Sequence, residues 1–185
     1  ILPDCHFLHF GTTRQLLTSG RQLAQLDRSP NAGRRVLAIN TQLAGNGRIN
    51  GEQAWVEGCR ITAPLALNGD NAVVGVDIDR PLDLPRGTCL DVIDGTTPDG
   101  RAVWFVRCYG VDDSFKTPAD DGVTFCRRPF DAWLAAAGLR PADVWDADVP
   151  ETERTIWNAR VFPAVDEPTG WRDWLWLLAP ETASE

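Results

Sequence analysis

The most regular feature of the chain is a six-residue spacing of apolar side chains. Polar and glycine-rich steps separate these positions, a pattern typical of hexapeptide β-helices. In a left-handed parallel β-helix, three faces of six residues make one coil of roughly 18 residues, so residues 18 apart stack. We therefore predict one continuous core, formed by Leu37, Leu43, Ile49, Trp55, Ile61, Leu67 and Val73. Trp55 is the member least suited to such an interior, because an indole is large.

The spacing shifts by one residue after Val73, as a deletion at a corner would produce. It then continues at Ile78, Leu84 and Leu90. The predicted columns are Leu37, Trp55, Val73 and Leu90; Leu43, Ile61 and Ile78; and Ile49, Leu67 and Leu84. Tight corners favour glycine, and the glycines between the apolar positions include Gly45, Gly51, Gly69 and Gly75. Ordinary short strands separated by turns are the alternative interpretation.

Other elements flank the region of sixes, which spans roughly 35–93. Residues 5–10 are predicted to form a strand, and Thr12 or Thr13 to cap a helix that runs to about residue 26, with Gly20 as a point of interruption. Asp99-Gly100 is a hairpin signal before an apolar strand over 102–110. The fold class is therefore mainly β, with a strand and helix before the β-helix.

The C-terminal part is rich in tryptophan and predicted to be helical. A short helix is expected over 130–137, stopped by Gly138, and another from Pro150 with Ile156 and Trp157 on its buried side. A third is indicated by the helical spacing of Trp171, Trp174, Leu175 and Leu178. Such a segment is too short to fold alone, so we expect this connector to pack on the β-helix or on another domain.

Composition narrows the class of protein. The 185 residues carry a net charge of −8, which argues against nucleic acid or an anionic membrane as partner. No apolar run is long enough to span a membrane, and no signal peptide is visible. The five cysteines are scattered without a C-x-x-C pair, which favours reduced thiols and a cytoplasmic location. Because the chain begins with Ile and lacks Met, we expect a piece of a longer protein.

Two short segments are candidates for ligand binding. Thr12, Thr13 and Arg14 follow Gly11 at a strand-to-helix junction, where free N–H groups favour an anion such as a sugar phosphate. An ordinary helix cap is the alternative. Asp112, Asp113 and Lys116 follow the strand over 102–110, and their side chains could hold sugar hydroxyls. A solvated loop is the alternative there.

Catalytic and metal motifs are missing from the sequence. It contains no Walker phosphate loop, no Rossmann fingerprint and no G-x-S-x-G motif. Cys5, His6 and His9 are close in sequence, but residues 6 and 9 of a strand point to opposite faces, so we expect no metal site. An acyltransferase is disfavoured because both histidines precede the sixes. We therefore predict no catalytic residue in this chain.

Several segments resemble the GDP-fucose pyrophosphorylase module, which is found alone or fused to L-fucokinase. These segments are Pro3-Asp4-Cys5-His6-Phe7-Leu8-His9-Phe10-Gly11-Thr12-Thr13, Leu84-Pro85-Arg86-Gly87-Thr88-Cys89-Leu90, Tyr109-Gly110-Val111-Asp112-Asp113-Ser114-Phe115-Lys116, Val144-Trp145-Asp146-Ala147-Asp148-Val149-Pro150 and Thr155-Ile156-Trp157-Asn158-Ala159-Arg160-Val161-Phe162-Pro163. They keep their order along nearly the whole chain.

The resemblance implies a parent enzyme that joins fucose-1-phosphate to GTP, with Mg²⁺ expected, and in fused forms a kinase that uses ATP. It places a nucleotidyltransferase domain before a left-handed β-helix. The implied divisions are the end of that domain over 1–34, the β-helix over 35–110, and a loop and helical connector over 111–185. No cofactor is expected in this chain itself. Sugar phosphate and nucleotide are the implied partners, with a homo-oligomer through the β-helix as a further possibility.

Two functions remain open from the sequence. The chain is either an accessory part of this nucleotide-sugar enzyme that contributes sugar-side contacts, or a purely structural module that organises oligomers or spaces domains. Neither possibility excludes the other.

Overall fold

The computed structural model describes residues 8–26, 35–120 and 122–181. Its first element is helix α1 (Thr13–Leu26). Thr12 is the N-cap, because its Oγ1 accepts a hydrogen bond from the amide of Gln15 at 3.2 Å. The Gln15 side-chain oxygen in turn accepts one from the amide of Gly11 at 3.1 Å. Half of the strand predicted over 5–10 lies outside the described residues, and residues 8–10 are not in a strand.

The centre of the molecule is a parallel β-helix with three faces, which confirms the predicted fold class. The strands of the first coil are β1 (Val36–Ile39), β2 (Gln42–Leu43) and β3 (Arg48–Gly51). Those of the second are β4 (Ala54–Glu57), β5 (Arg60–Ile61) and β6 (Pro64–Leu67), and those of the third are β7 (Asn71–Val74), β8 (Asp77–Ile78) and β9 (Leu82–Leu84). Face A contains β1, β4 and β7, face B contains β2, β5 and β8, and face C contains β3, β6 and β9.

The strand register confirms one predicted column and corrects the other two. Leu43, Ile61 and Ile78 are in register on face B, as predicted. On face A, Val73 is in register with Val56 rather than with Trp55, so the one-residue shift comes before Val73 and not after it. On face C, Leu67 and Leu84 are in register, but Ile49 aligns with Leu65 and Leu82. Corners of unequal length cause both corrections, because they absorb one residue on face A and two on face C without disturbing the faces.

Burial separates the end coil from the inner coils. Ile61, Leu67, Val73, Ile78 and Leu84 are buried, as predicted. Leu43 is 54% exposed and Ile49 only partly buried, so the prediction of a fully buried core was wrong for these two. Both belong to the first coil, whose strands β2 and β3 are edge strands, whereas the connector packs against the third coil through Arg172 and Asp79.

Helix α1 covers the outer surface of face A. Val56 points into the coil, so its neighbour Trp55 points outward and packs its ring against Gly20 of α1. A Cβ at Gly20 would overlap that ring. The helix continues through Gly20, so the predicted interruption there was wrong. Glycine at this position gives the Trp55 ring room to pack.

A long antiparallel hairpin follows the third coil. Strand β10 (Thr88–Thr96) pairs in parallel with β7 and antiparallel with β11 (Ala102–Gly110), around the predicted turn at Asp99-Gly100. Strand β14 (Ala164–Val165) pairs with the other edge of β11. Face A thus grows into a six-stranded sheet, which joins the β-helix to the C-terminal connector.

The connector is a series of short elements around an aromatic core. Strands β12 (Thr124–Phe125) and β13 (Arg128–Pro129) precede α2 (Phe130–Ala136) and α3 (Pro141–Val144). The 3₁₀ helices Glu151–Glu153, Ile156–Asn158 and Pro168–Leu178 follow. Phe125, Phe130, Trp133 and Trp145 contact one another edge-to-face or stacked, and all four are buried. The aromatic cluster supplies a core that these short elements could not supply from their backbones alone.

Two predictions for the connector need correction. The helix expected from Pro150 is replaced by two separate 3₁₀ turns, because Arg154 and Thr155 between them are extended. Ile156 is buried as predicted, but Trp157 is exposed. The helix predicted around Trp171 exists as a 3₁₀ helix, and the helix that ends before Gly138 is confirmed.

Two further properties concern the described residues as a whole. None of the helices they form is both long and apolar enough to cross a lipid bilayer. Cys59, Cys89, Cys108 and Cys126 are free thiols and are buried.

Candidate functional site

A cleft of about 790 Å³ lies between the start of α1 and the loop after β11. Its walls come from residues 10–16 and 111–116, with Trp157 of the connector at one side. Six residues that the sequence analysis singled out in two distant segments line this one cleft: Thr12, Thr13, Arg14, Asp112, Asp113 and Lys116. The structure therefore brings both candidate segments together.

Arg14 joins the two walls of the cleft. Its Nη2 donates to Asp112 Oδ2 at 2.7 Å, and its Nε donates to the other carboxylate oxygen. Asp112 therefore raises the pKa of Arg14, and Arg14 lowers the pKa of Asp112. Arg14 Nη1 also lies 3.6 Å from Asp70, which pairs with Arg86 at 3.0 Å. The result is a surface network of alternating charges that extends from the cleft wall to Asp70 and Arg86 outside it.

The two threonines have different surroundings. The Thr12 hydroxyl oxygen accepts the capping hydrogen bond of α1. Thr13 is the first residue of the helix and is partly exposed in the cleft. The first turn of a helix carries amides without intrahelical partners and a partial positive charge, so this end of the cleft suits an anion. Ligand contact by either threonine stays a prediction.

Asp113 is directed into its own loop. Its Oδ2 accepts hydrogen bonds from the amides of Gly110 at 2.6 Å and Cys126 at 2.9 Å, and Thr124 Oγ1 lies 3.3 Å from Oδ1. Burial raises the pKa of Asp113 to about 6, although these donors oppose the shift. Cys126 and Arg127 both have positive φ, of 49° and 70°, which is costly for residues other than glycine. Asp113 therefore holds a strained turn beside the cleft, while its predicted contact with sugar hydroxyls stays untested.

Lys116 and Trp157 form the opposite side of the cleft. The Lys116 ammonium lies 5.3 Å from the centroid of the Trp157 ring, in cation–π range. Within the described residues, no carboxylate lies within ion-pair distance of Lys116. Sequence reasoning missed Trp157 because it assigned the residue to a buried helix face. The buried Ile156 next to it was the only local signal.

A buried polar group lies below the cleft. Asp91 of β10 accepts hydrogen bonds from Arg107 at 2.5 and 2.9 Å and from the Tyr109 hydroxyl at 3.0 Å. The Tyr109 ring packs edge-on against Phe115 in the cleft wall, with centroids 5.5 Å apart. Sequence reasoning missed this group as well. The signal was available, because Asp91 and Arg107 are equally distant from the hairpin turn and so lie in register.

The chemical groups of the cleft are of the kinds that bind polar ligands. The cleft presents cations, a helix N-terminus, carboxylates and exposed rings, but no nucleophile hydrogen-bonded to a base. Within 8–26, 35–120 and 122–181, no group of three or more His, Cys, Asp or Glu side chains could hold a metal ion. These residues therefore do not fit Mg²⁺.

The fold and the cleft together define a β-helix domain with a polar cleft where its flanking segments meet. The chain belongs to the fucose pyrophosphorylase domain family, whose profile matches residues 1–167. It is 28% identical over 153 residues to an L-fucokinase/L-fucose-1-P guanylyltransferase of Bacteroides fragilis, covering 77% of this chain and 16% of that protein.

A second relative is a bifunctional fucokinase/GDP-fucose pyrophosphorylase of Arabidopsis thaliana. The identity is 27% over 187 aligned residues, covering 86% of this chain and 17% of that protein. The chain thus spans about one sixth of the length of these relatives. No solved structure matches it significantly.

Proposed function

We propose that this chain is the β-helix and connector portion of an enzyme that makes GDP-fucose from fucose-1-phosphate and GTP. In this proposal, the cleft contributes contacts to the sugar phosphate, and the chain alone is not catalytic. The observation that carries the proposal is the convergence of two segments, 98 residues apart at Arg14 and Asp112, on one polar cleft. Membership of the family and the names of both relatives support the choice of substrate.

The phosphate group is assigned to the cationic parts of the cleft. Lys116 supplies an ammonium without a carboxylate partner among the described residues, and the first turn of α1 adds amides and dipole. Arg14 supplies a planar fork that fits a phosphate, provided that it turns partly away from Asp112. Asp112 could then accept hydrogen bonds from sugar hydroxyls, while Asp113 keeps the loop in shape.

The remaining parts of the proposal concern the whole protein. GTP and Mg²⁺ bind outside this chain, because the described residues offer neither a phosphate loop nor a metal cluster. A kinase that uses ATP belongs to the proposal only where the full protein is fused in the manner of the relatives. Buried, free thiols support a reducing, cytoplasmic location.

The test is steady-state kinetics of the full-length protein with Arg14→Ala. Losing a charge-assisted hydrogen bond to the phosphate should lower kcat/KM for fucose-1-phosphate by roughly 10- to 150-fold. Stability should change little, because the exposed Arg14–Asp112 pair contributes under about 1 kcal/mol. Arg21→Ala is the matched control, because Arg21 lies further along the same helix and outside the cleft. Unchanged kinetics at unchanged melting temperature would remove the cleft from the sugar site.

A purely structural role is the second candidate function. The edge strands β2 and β3 favour it, since each pairs with one neighbour in the described structure and leaves its other edge open to another domain or another copy of the chain. A spacer or assembly module predicts that Arg14→Ala and Arg21→Ala behave alike. The same kinetic comparison therefore separates the two functions.

A further inference from the structure

Two exposed aromatic rings stand on the rim of the cleft. Phe10 is 46% exposed and Trp157 is 69% exposed, and both line the cleft. The exposed large apolar side chains of the described residues are Phe10, Leu23, Leu26, Leu43 and Trp157. Both aromatic members of this set thus lie at one polar cleft, where a ligand with an apolar face would cover them.

The backbone around Trp157 fixes its outward position. The Trp157 amide donates to the Phe115 carbonyl at 2.8 Å, which ties the turn to the cleft loop. Ile156 before it is fully buried. Asn158 after it accepts hydrogen bonds from the Thr155 amide and the Trp145 indole, both at 2.9 Å. Because its neighbours are held on both sides, Trp157 has a defined place at the cleft.

Lys116 places a positive charge at one end of this aromatic surface. Its ammonium lies over the Trp157 ring and beside the cleft, so an apolar platform and a positive charge are adjacent. A hexose 1-phosphate also has an apolar part next to a charged part. In a 6-deoxyhexose, C–H bonds and the methyl group form an apolar side of the ring, while the phosphate carries the charge.

We propose that Trp157 is the stacking platform for the apolar face of the 6-deoxyhexose, with Lys116 placed to pair with its phosphate. The proposal rests on the assignment of this cleft to the sugar phosphate. In this proposal Trp157 recognises the sugar ring, whereas Arg14 and Lys116 bind the phosphate. Aromatic faces attract C–H groups and cations alike, so one indole can serve both neighbours.

The test compares three probes on the full-length protein: fucose-1-phosphate, GTP and inorganic phosphate as a competitor. Trp157→Ala should raise KM for fucose-1-phosphate at least tenfold, while KM for GTP and the inhibition constant of phosphate change less than twofold. Trp157→Phe should recover most of the loss, because it keeps a ring. Lys116→Gln should instead weaken inhibition by phosphate.

Controls make each outcome informative. Leu23→Ala removes a similarly exposed apolar side chain of α1 outside the cleft and should leave all constants unchanged. An unaltered KM for fucose-1-phosphate in Trp157→Ala, or a rise for GTP alone, would overturn the platform. If Arg14→Ala still impairs sugar-phosphate use in that case, only the platform fails. If neither variant has an effect, the proposed function fails with it.

Discussion

Arg14 in the first turn of α1 grips both carboxylate oxygens of Asp112, which lies 98 residues further along the chain. This pair joins the two walls of the cleft, which are otherwise far apart in the chain. Under the proposed function, the phosphate would have to compete with Asp112 for the same guanidinium.

The β-helix register predicts opposite outcomes for two residues that are neighbours in one column. Ile61→Asp places an unpaired charge inside the coil and should cost more than about 3 kcal/mol. Leu43→Asp, at the register partner of Ile61, should cost less than about 1 kcal/mol because that side chain is already exposed. Urea unfolding followed by circular dichroism measures both, and equal losses would contradict the described end coil.

Gly20 should resist a substitution that normally helps a helix. Alanine is favoured over glycine in a helix by about 1 kcal/mol, but a Cβ here meets the Trp55 ring. We therefore expect Gly20→Ala to destabilise the protein by about 1–3 kcal/mol. Thermal unfolding gives the value.

A double-mutant cycle checks the cause of that loss. In a Trp55→Leu background, the smaller side chain leaves room for the new methyl group, so Gly20→Ala should become neutral or stabilising. Additive effects of the two changes would show that Trp55 is not the obstacle.

The fold could be predicted from the sequence because the coil repeats the same environment. The six-residue spacing indicates the three faces of the coil, and it correctly predicted the burial of Ile61, Ile78 and Leu84. It could not locate the one-residue shift, since Trp55 and Val56 are both apolar and only one can point inward. Nor could it show that Leu43 lies at an exposed end, because exposure there depends on what is stacked beside the coil.

Asp113 should make stability depend on pH in the unusual direction for a carboxylate. Its folded-state pKa of about 6 lies above the ordinary 3.8, so the folded protein binds this proton more tightly than the unfolded chain. The resulting stabilisation is fully present below about pH 4 and is lost as pH rises through 6, by up to about 3 kcal/mol. Asp113→Asn cannot titrate, so its stability relative to the native chain should rise over this window.

Urea unfolding of the native chain and Asp113→Asn at several pH values between 4 and 7 measures that difference. Other titrating groups cancel in the comparison because both proteins share them. A difference that is constant across the window would mean that the Asp113 carboxyl titrates alike in the folded and unfolded chain.

The candidate site was only partly visible in the sequence. Both segments were recognisable because Gly11-Thr12-Thr13-Arg14 marks a helix start and Asp112-Asp113 follows a strand. Their convergence could not be predicted, since it depends on how α1 lies across face A. Trp157 was missed for a related reason: 3₁₀ turns lack the period of an α-helix, so helical spacing assigned it to the wrong side.

The change from parallel to antiparallel pairing at β10 prevents further coils from being added to face A at that end. Along face A, β7 and β10 run in the same direction, but β11 returns along β10 and occupies the edge where a further coil would add its strand. A second molecule therefore cannot extend this sheet end-to-end at β10 by continuing the coil pattern. Self-association that extends face A would therefore have to use the edge at which β1 lies, which directs cross-linking experiments to the first coil.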